Sequence, residues 1–222
     1  MKFADGWYWP DGEQHMLEWI AHPKNRMVLN GRPAYQGKKQ LAVIAECGLQ
    51  RRMRVAVDVG AHIGLWSFNL ARAFESVKAF EPVAAHRECF VKNVEDCEEG
   101  GNVDLIGCAI GPAEARVSIW SNPTSSGDSW VSGVGGIPMR TLDSFALQDV
   151  DLIKADCEGY EEKVLRGAFD TIARCRPIIM VEQKRDMAEK FGMRPQGGVE
   201  FLQSLGYSVK AEIGGDYLMV PA

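Results

Sequence analysis

From Arg54 onward, the chain alternates short runs rich in apolar and β-branched residues with runs that have helical periodicity. Such alternation is typical of a parallel sheet whose strands are joined by crossover helices. The predicted strands are "RVAVDVG" (54–60), "SVKAFEP" (76–82), "VDLIGCAIG" (103–111), "DLIKADCEG" (151–159) and "PIIMVEQ" (177–183). A last pair of extended runs meets at Gly214-Gly215, which predicts an antiparallel hairpin at the C-terminal end. The sequence therefore predicts an α/β fold.

Two segments interrupt the alternation. Residues 1–45 are rich in Trp, Pro and Gly and are predicted to form an extension that packs on the sheet or covers one end of it. Residues 46–222 form the main domain, which carries a β-rich insertion at 112–145. Within that insertion, the Ser/Gly-rich stretch around 121–137 is predicted to be a long loop, and a functional lid and a disordered excursion both remain open.

Composition excludes several classes of protein. The net charge of −5 argues against unaided binding of duplex nucleic acid, because phosphate neutralisation needs a basic surface. The N-terminus lacks the layout of a secretory signal, and the apolar runs are too short to span a bilayer. Scattered cysteines without metal-binding spacing are expected to be free thiols in a reducing cytoplasm. They are Cys47, Cys89, Cys97, Cys108, Cys157 and Cys175.

The predicted strands end in an unusual number of carboxylates. In open α/β sheets, ligands bind beyond the carboxyl ends of the strands. The residues at those ends are Asp58 and Gly60, Glu81, Cys108 and Ala109, Asp156 and Glu158, and Glu182. Acidic residues avoid burial unless they are paired, so this clustering indicates a ligand site.

The turn after the first strand favours one type of cofactor. Its glycines, Gly60 and Gly64, do not have the GxGxxG spacing of a dinucleotide site. A carboxylate at Asp58 would repel a pyrophosphate but suits a cationic amine. Glu81, at the next strand end, is placed to accept hydrogen bonds from ribose hydroxyls. A ligand with a ribose, an ammonium group and no phosphate is S-adenosylmethionine, although "GAHIG" could also be only a tight strand–helix turn.

Five motifs follow one another along the chain: "VDVGAHIGLWSFNLAR", "AFEP", "TLDSF", "VDLIKADCEGYEEKVLRGA" and "PIIMVE". In this order they resemble the FkbM-type methyltransferases, and the resemblance covers about residues 54–183. The stretches "VEQK" and "SSGDSW" have a weaker likeness to a branch of this family found among phage and bacterial sequences. The resemblance implies a Rossmann-like class I methyltransferase fold with a mostly parallel seven-stranded sheet. It also implies the cofactor contacts: Asp58, Gly60, Ala61, His62 and Gly64 around the methionine half, Glu81 at the ribose, and Cys108 and Ala109 beside the adenine. Residues 1–45 and 121–137 lie outside the common core, so acceptor specificity does not carry over.

The candidate catalytic residues are Glu158 and Glu182. On an extended segment, Asp156 and Glu158 would point the same way, with Asp156 at the cofactor edge and Glu158 on the acceptor side. Two close carboxylates can share a proton or hold a divalent metal, and no metal is predicted.

Other polar and aromatic residues have a structural interpretation beside the functional one. Glu161 and Glu162 suit a helix N-terminus, Lys184 and Arg185 fit either an acidic acceptor group or a solvated loop, and His86 is predicted at the surface. In His62, the backbone is expected to matter more than the ring. Trp7, Tyr8, Trp9 and Trp19 could stack on an acceptor, but packing on the core is the preferred interpretation.

The leading hypothesis is a cytoplasmic S-adenosylmethionine-dependent methyltransferase that modifies a hydroxyl of a small molecule or a glycan. One alternative keeps the cofactor and makes a nucleotide or a modified nucleic-acid base the acceptor. Another is a cofactor-binding module without turnover, which would not need Glu158 and Glu182. An NAD-dependent oxidoreductase fits least, given the glycine spacing and Asp58.

Overall fold

The computed structural model describes residues 1–96, 100–183 and 186–222. Cys97, Lys184 and Arg185, for which the sequence made predictions, lie outside the described residues. Within the described ranges, no helix has the length and apolar character needed to cross a bilayer.

The N-terminal segment is built of two small hairpins and two helices. Its elements are β1 (Lys2–Ala4), β2 (Trp7–Trp9), α1 (His15–Ala21), β3 (Val28–Leu29), β4 (Arg32–Pro33) and α2 (Gly37–Leu49). Trp7 and Trp9 are completely buried, and the ring of Trp7 meets Phe68 edge-on at 5.1 Å between centroids. The Asn93 side chain accepts a hydrogen bond from the backbone N–H of Tyr8 (2.7 Å) and donates one to its carbonyl (2.9 Å). The segment therefore supplies part of the hydrophobic core.

The first half of the main sheet follows the predicted alternation. Its elements are β5 (Val55–Val59), α3 (Ser67–Leu70), β6 (Ser76–Phe80), α4 (Ala84–Phe90), which continues as a π-helical turn (Val91–Glu95), and β7 (Val103–Ile106). The third predicted strand, 103–111, is wrong in one respect, because the chain leaves the main sheet after Ile106. Its last residues pair elsewhere.

A second sheet, which we call the insertion sheet, is formed by the next four strands. They are β8 (Ala109–Ile110), β9 (Ala115–Asn122), β10 (Ser125–Val134) and β11 (Ile137–Arg140), in the spatial order β10-β9-β11-β8. The Ser/Gly-rich stretch is thus a paired strand, and the expectation of a long loop there is wrong. Trp130 of β10 lies directly opposite Trp120 of β9, with ring centroids 4.0 Å apart. Such cross-strand aromatic pairs stabilise a hairpin, which explains why a polar stretch pairs here.

The second half of the chain completes the main sheet. Its elements are β12 (Val150–Ala155), α5 (Glu161–Arg166), α6 (Phe169–Cys175), β13 (Ile178–Glu182), α7 (Gly197–Ser204), β14 (Tyr207–Ile213) and β15 (Asp216–Pro221). The spatial order is β14-β15-β13-β12-β5-β6-β7. The five strands from β13 to β7 are parallel. In the C-terminal hairpin, β15 pairs antiparallel with β13, and β14 pairs antiparallel with β15. The predicted mostly parallel seven-stranded sheet with a C-terminal hairpin is confirmed.

Both faces of the central strands are covered by other parts of the chain. Every residue of β12 and β13 is buried, as expected for parallel strands packed between two layers. One hydrophobic cluster lies on each side of the sheet. Polar residues beyond the carboxyl ends of these strands therefore meet at one fixed edge.

Candidate functional site

A cavity of about 950 Å³, part of it open to solvent, lies at the carboxyl ends of β5, β6, β12 and β13. The predicted site residues that line it are Gly60, Ala61, His62, Glu81, Cys108, Ala109, Asp156, Glu158 and Glu182. Asp58 and Gly64 are not part of its wall.

The turn after β5 needs glycine for reasons of packing. Gly60 and Gly64 both have positive φ angles, +78° and +91°, which other residues rarely adopt. A Cβ on Gly60 would lie 2.0 Å from the backbone oxygen of Asp156, and one on Gly64 would lie 2.5 Å from Val94. The backbone N–H groups of Gly60 and Ala61 both donate to the carbonyl of Phe80 at 3.1 Å. The glycines therefore let the turn press against β12 and α4, and only Gly60 also faces the cavity.

Asp58 lies behind the cavity and already has a cationic partner. Its carboxylate is fully buried, forms an ion pair with Lys154 Nζ at 3.0 Å, and accepts a hydrogen bond from the Ser67 hydroxyl at 2.7 Å. Lys154 also donates to the carbonyl of Gly60 at 2.8 Å and lines the cavity. Burial lowers the pKa of Lys154, but the charges of Asp58 and Asp156 outweigh it, so the net pKa is raised and the side chain is charged.

Sequence reasoning missed Lys154. The available signal was a lysine inside the buried run of β12, since a charge there needs a partner. Its register partner across the sheet is Asp58.

Glu81, which follows β6, forms hydrogen bonds with the glycine turn after β5. Its carboxylate accepts hydrogen bonds from the backbone N–H groups of His62 (2.8 Å) and Val83 (2.8 Å), and His86 Nδ1 lies 3.2 Å from it. The prediction that His86 is at the surface is wrong, because its side chain is buried against this acid and against the ring of His62, at 4.4 Å between centroids. The sequence did not indicate this contact, because a histidine in an amphipathic helix is usually exposed.

Cys108 and Ala109 form an apolar part of the wall. They lie where the chain leaves β7 for β8, and both are buried. Burial raises the pKa of the Cys108 thiol. A neutral thiol beside an alanine methyl group suits the face of a planar, uncharged ring.

Three carboxylates meet at the ends of β12 and β13. Asp156, Glu158 and Glu182 each place a carboxylate oxygen within 4.8 Å of the others. The extended segment assumed for Asp156 and Glu158 is wrong, because β12 ends at Ala155 and Glu158 has a φ of +53°. The chain turns back there, and the turn brings the acids together. Carboxylates this close can share a proton or hold a divalent cation.

Glu161 is a buried acid at the start of α5. Its carboxylate accepts hydrogen bonds from the backbone N–H groups of Cys157 (2.7 Å) and Gly159 (3.1 Å), and burial raises its pKa to about 7. It therefore fastens the loop that carries Glu158. Its neighbour Glu162 pairs with Arg166 at 2.7 Å on the same helix.

A chain of hydrogen bonds links the glycine turn to the two segments outside the common core. His62 Nε2 lies 2.8 Å from the Ser126 hydroxyl of β10, and that hydroxyl in turn donates to the carboxylate of Glu13. Glu13 is buried and also accepts from the backbone N–H groups of Ser126 (2.6 Å) and Met16 (2.7 Å). Sequence reasoning missed Glu13 and Ser126, which lie 113 positions apart. The ring of His62 thus has contacts of its own besides those of its backbone.

The aromatic residues of the N-terminal segment have mainly structural places. Trp7 and Trp9 belong to the core, and the ring of Trp19 packs edge-on against Tyr35 at 4.8 Å. The aromatic residues that line the cavity are Tyr35, from the N-terminal segment, and Trp66, Phe80, Trp130 and Tyr160, from the rest of the chain.

The sequence matches a known domain family over most of the residues that build this site. Residues 58–209 match the methyltransferase FkbM domain. No curated protein sequence gives a significant match.

Solved structures share the fold. The methyltransferase FkbM from Methylobacillus flagellatus KT superposes with a TM-score of 0.53 at 20% identity, over 76% of this chain and 43% of that protein. The chain thus spans less than half of the Methylobacillus protein. A methyltransferase from Geobacter sulfurreducens has a TM-score of 0.53 at 14% identity, covering 85% of this chain and 80% of its own. A putative O-methyltransferase from Klebsiella pneumoniae has a TM-score of 0.51 at 15% identity, covering 83% and 80%.

Proposed function

Because the chain belongs to the FkbM methyltransferase family, we propose that it transfers the methyl group of S-adenosylmethionine to a hydroxyl of a small molecule or a glycan. The observation that carries this proposal is the cavity at the strand ends. The buried carboxylate of Glu81, which could accept hydrogen bonds from a ribose, lines this cavity together with the group of three acids. S-adenosylmethionine supplies an activated sulfonium methyl group when it is bound.

The residues present fit this cofactor. Glu81 is a buried carboxylate at the end of β6, where an acid can accept a ribose hydroxyl. Cys108 and Ala109 offer an uncharged wall for the adenine, next to the apolar ring of Phe80. Lys154 offers a cation, and Asp156 an acid, for the charged groups of the methionine half.

The acids determine the acceptor chemistry. Methyl transfer depends mainly on alignment of the two reactants, which can account for about 7–11 kcal/mol of the barrier. A hydroxyl acceptor must also lose its proton, and we assign that step to Glu158 or Glu182. A positioned base contributes about 10²–10⁴-fold. Four carboxylate side chains among the residues that line the cavity and a net charge of −5 disfavour polyanionic acceptors such as nucleic acids.

Calorimetric titration with S-adenosylmethionine, with NAD as a control, tests the cofactor. Micromolar affinity for the first and none for the second is expected. The absence of binding to both would contradict the proposal.

A radiolabelled methyl-transfer assay against hydroxyl-bearing small molecules, oligosaccharides and nucleosides tests the acceptor. Label is expected in the first two groups. Label only in nucleosides would favour the nucleotide alternative, and binding without any label would favour the module without turnover. Glu158→Gln and Glu182→Gln should bind the cofactor normally and lose turnover, and full methylation by both variants would remove these residues from the mechanism.

A further inference from the structure

The direction of each hydrogen bond in the Glu13–Ser126–His62 chain is fixed by chemistry. The Glu13 carboxylate can only accept, so the Ser126 hydroxyl must donate to it. The oxygen of Ser126 then accepts from His62 Nε2, at 2.8 Å. In a neutral imidazole one nitrogen carries the proton and the other a lone pair. The proton of His62 is therefore on Nε2, and the lone pair is on Nδ1.

The lone pair on Nδ1 has no donor among the residues that the structure describes, and Nδ1 is buried. Burial together with the nearby His86 and Lys154 lowers the pKa of His62 well below its usual range, so the ring stays neutral. A buried acceptor without a partner is costly, and His62 is one of the residues that line the cavity.

Glu81 alone cannot accept both hydroxyls of a ribose without losing a partner. An ionised carboxylate offers about four acceptor positions. His62 N–H occupies one on Oε2, while Val83 N–H and His86 Nδ1 occupy those on Oε1. One position is left on Oε2, beside the backbone of His62.

From these observations we propose that Nδ1 of His62 accepts a hydrogen bond from one ribose hydroxyl of the cofactor, while Glu81 accepts the other. Ser126 and Glu13 are positioning residues that hold the ring in the tautomer this requires. The inference rests on the proposed function, because it takes the cofactor from it. It gives the N-terminal segment and the insertion sheet a part in cofactor binding.

The test combines substitution of the His62 side chain with removal of single hydroxyl groups from the ligand, in the manner of a double-mutant cycle. Affinity is measured by calorimetry for S-adenosylhomocysteine and for its 2′-deoxy and 3′-deoxy derivatives, in the wild type and in His62→Phe. In the wild type, loss of either hydroxyl should weaken binding about three- to tenfold. In His62→Phe, removal of one of the two hydroxyls should no longer weaken binding. S-adenosylhomocysteine itself should bind correspondingly less tightly to this variant than to the wild type. His22→Phe, an exposed histidine outside the cavity, is the matched control and should change nothing.

Three further measurements keep the test decisive if His62→Phe does not fold. His62→Asn tolerates the positive φ of 52° and carries an amide oxygen close to the position of Nδ1, so it should retain both hydroxyl effects. In the wild type, the ¹⁵N resonance of Nδ1 should be that of an unprotonated nitrogen and should shift when S-adenosylhomocysteine binds. Ser126→Ala should convert this resonance to a mixture of tautomers and reduce the affinity.

The outcomes separate the two proposals. A wild type that binds no adenosyl ligand contradicts the proposed function. A wild type that binds normally, with equal hydroxyl effects in His62→Phe or a protonated Nδ1 in the free protein, overturns only the role of His62.

Discussion

Replacement of Lys154 by methionine should destabilise the protein strongly, because it leaves a buried charge unpaired. Asp58 is fully buried, and Lys154 Nζ, at 3.0 Å, is the cation that neutralises it. After the substitution, the Ser67 hydroxyl at 2.7 Å remains as a partner and cannot compensate for a full charge. Removal of one member of a buried ion pair typically costs about 3–5 kcal/mol. For a chain of this size, that corresponds to a fall in melting temperature of roughly 6–20 °C.

The assay is urea unfolding followed by circular dichroism at pH 7, applied to the wild type, Lys154→Met and two comparison variants. The double variant Asp58→Asn/Lys154→Met removes both charges and should recover most of the loss, since a neutral pair of similar size has no unpaired charge. Lys92→Met breaks an exposed pair with Asp96 and should hardly move the midpoint. A loss below about 1 kcal/mol in Lys154→Met, or a double variant no more stable than the single one, would refute the reasoning.

Two further substitutions test other parts of the site. Burial raises the pKa of Glu161 from 4.5 to about 7, so its stabilising contribution is complete below pH 4.5 and is lost as the pH rises through 7. Glu161→Gln should therefore be more stable than the wild type at pH 8, by up to about 3 kcal/mol, and should show no such gain at pH 4.5. Unfolding of both proteins at both pH values measures this difference. Equal stability of the two proteins at pH 8 would contradict the raised pKa. Gly60→Ala should lower the melting temperature or abolish folding, because the new Cβ would lie 2.0 Å from the backbone oxygen of Asp156 at a positive φ. Gly48→Ala, on the exposed face of α2 with open space around it, should instead raise the melting temperature slightly, and the same response from both glycines would disprove the packing argument.

The strands of the main sheet could be predicted because their signal is local. β5, β12 and β13 are short runs made mostly of apolar residues, and the Gly214-Gly215 pair marks the turn of the last hairpin. The acids at the strand ends followed from the same pattern, since parallel strands end at one edge.

What the sequence could not show depends on partners far away along the chain. Lys154 finds Asp58 only when β12 and β5 are neighbours, and Ser126 finds Glu13 only when β10 lies near α1. β10 itself was missed because its serines and glycines lack an apolar alternation, and its pairing depends on the Trp120–Trp130 contact across the hairpin.

The position of β15 limits where the chain can be cut to give a stable fragment. β15 lies between β13 and β14, so a fragment limited to the matched family region, residues 58–209, would keep part of β14 and lose the strand that attaches it to the sheet. The same fragment would lack Trp7 and Trp9, whose buried rings fill the core. The region that matches the family is therefore smaller than the set of residues that builds the core and the main sheet. A chimaera should therefore take the N-terminal segment, the matched region and the C-terminal hairpin from the same parent.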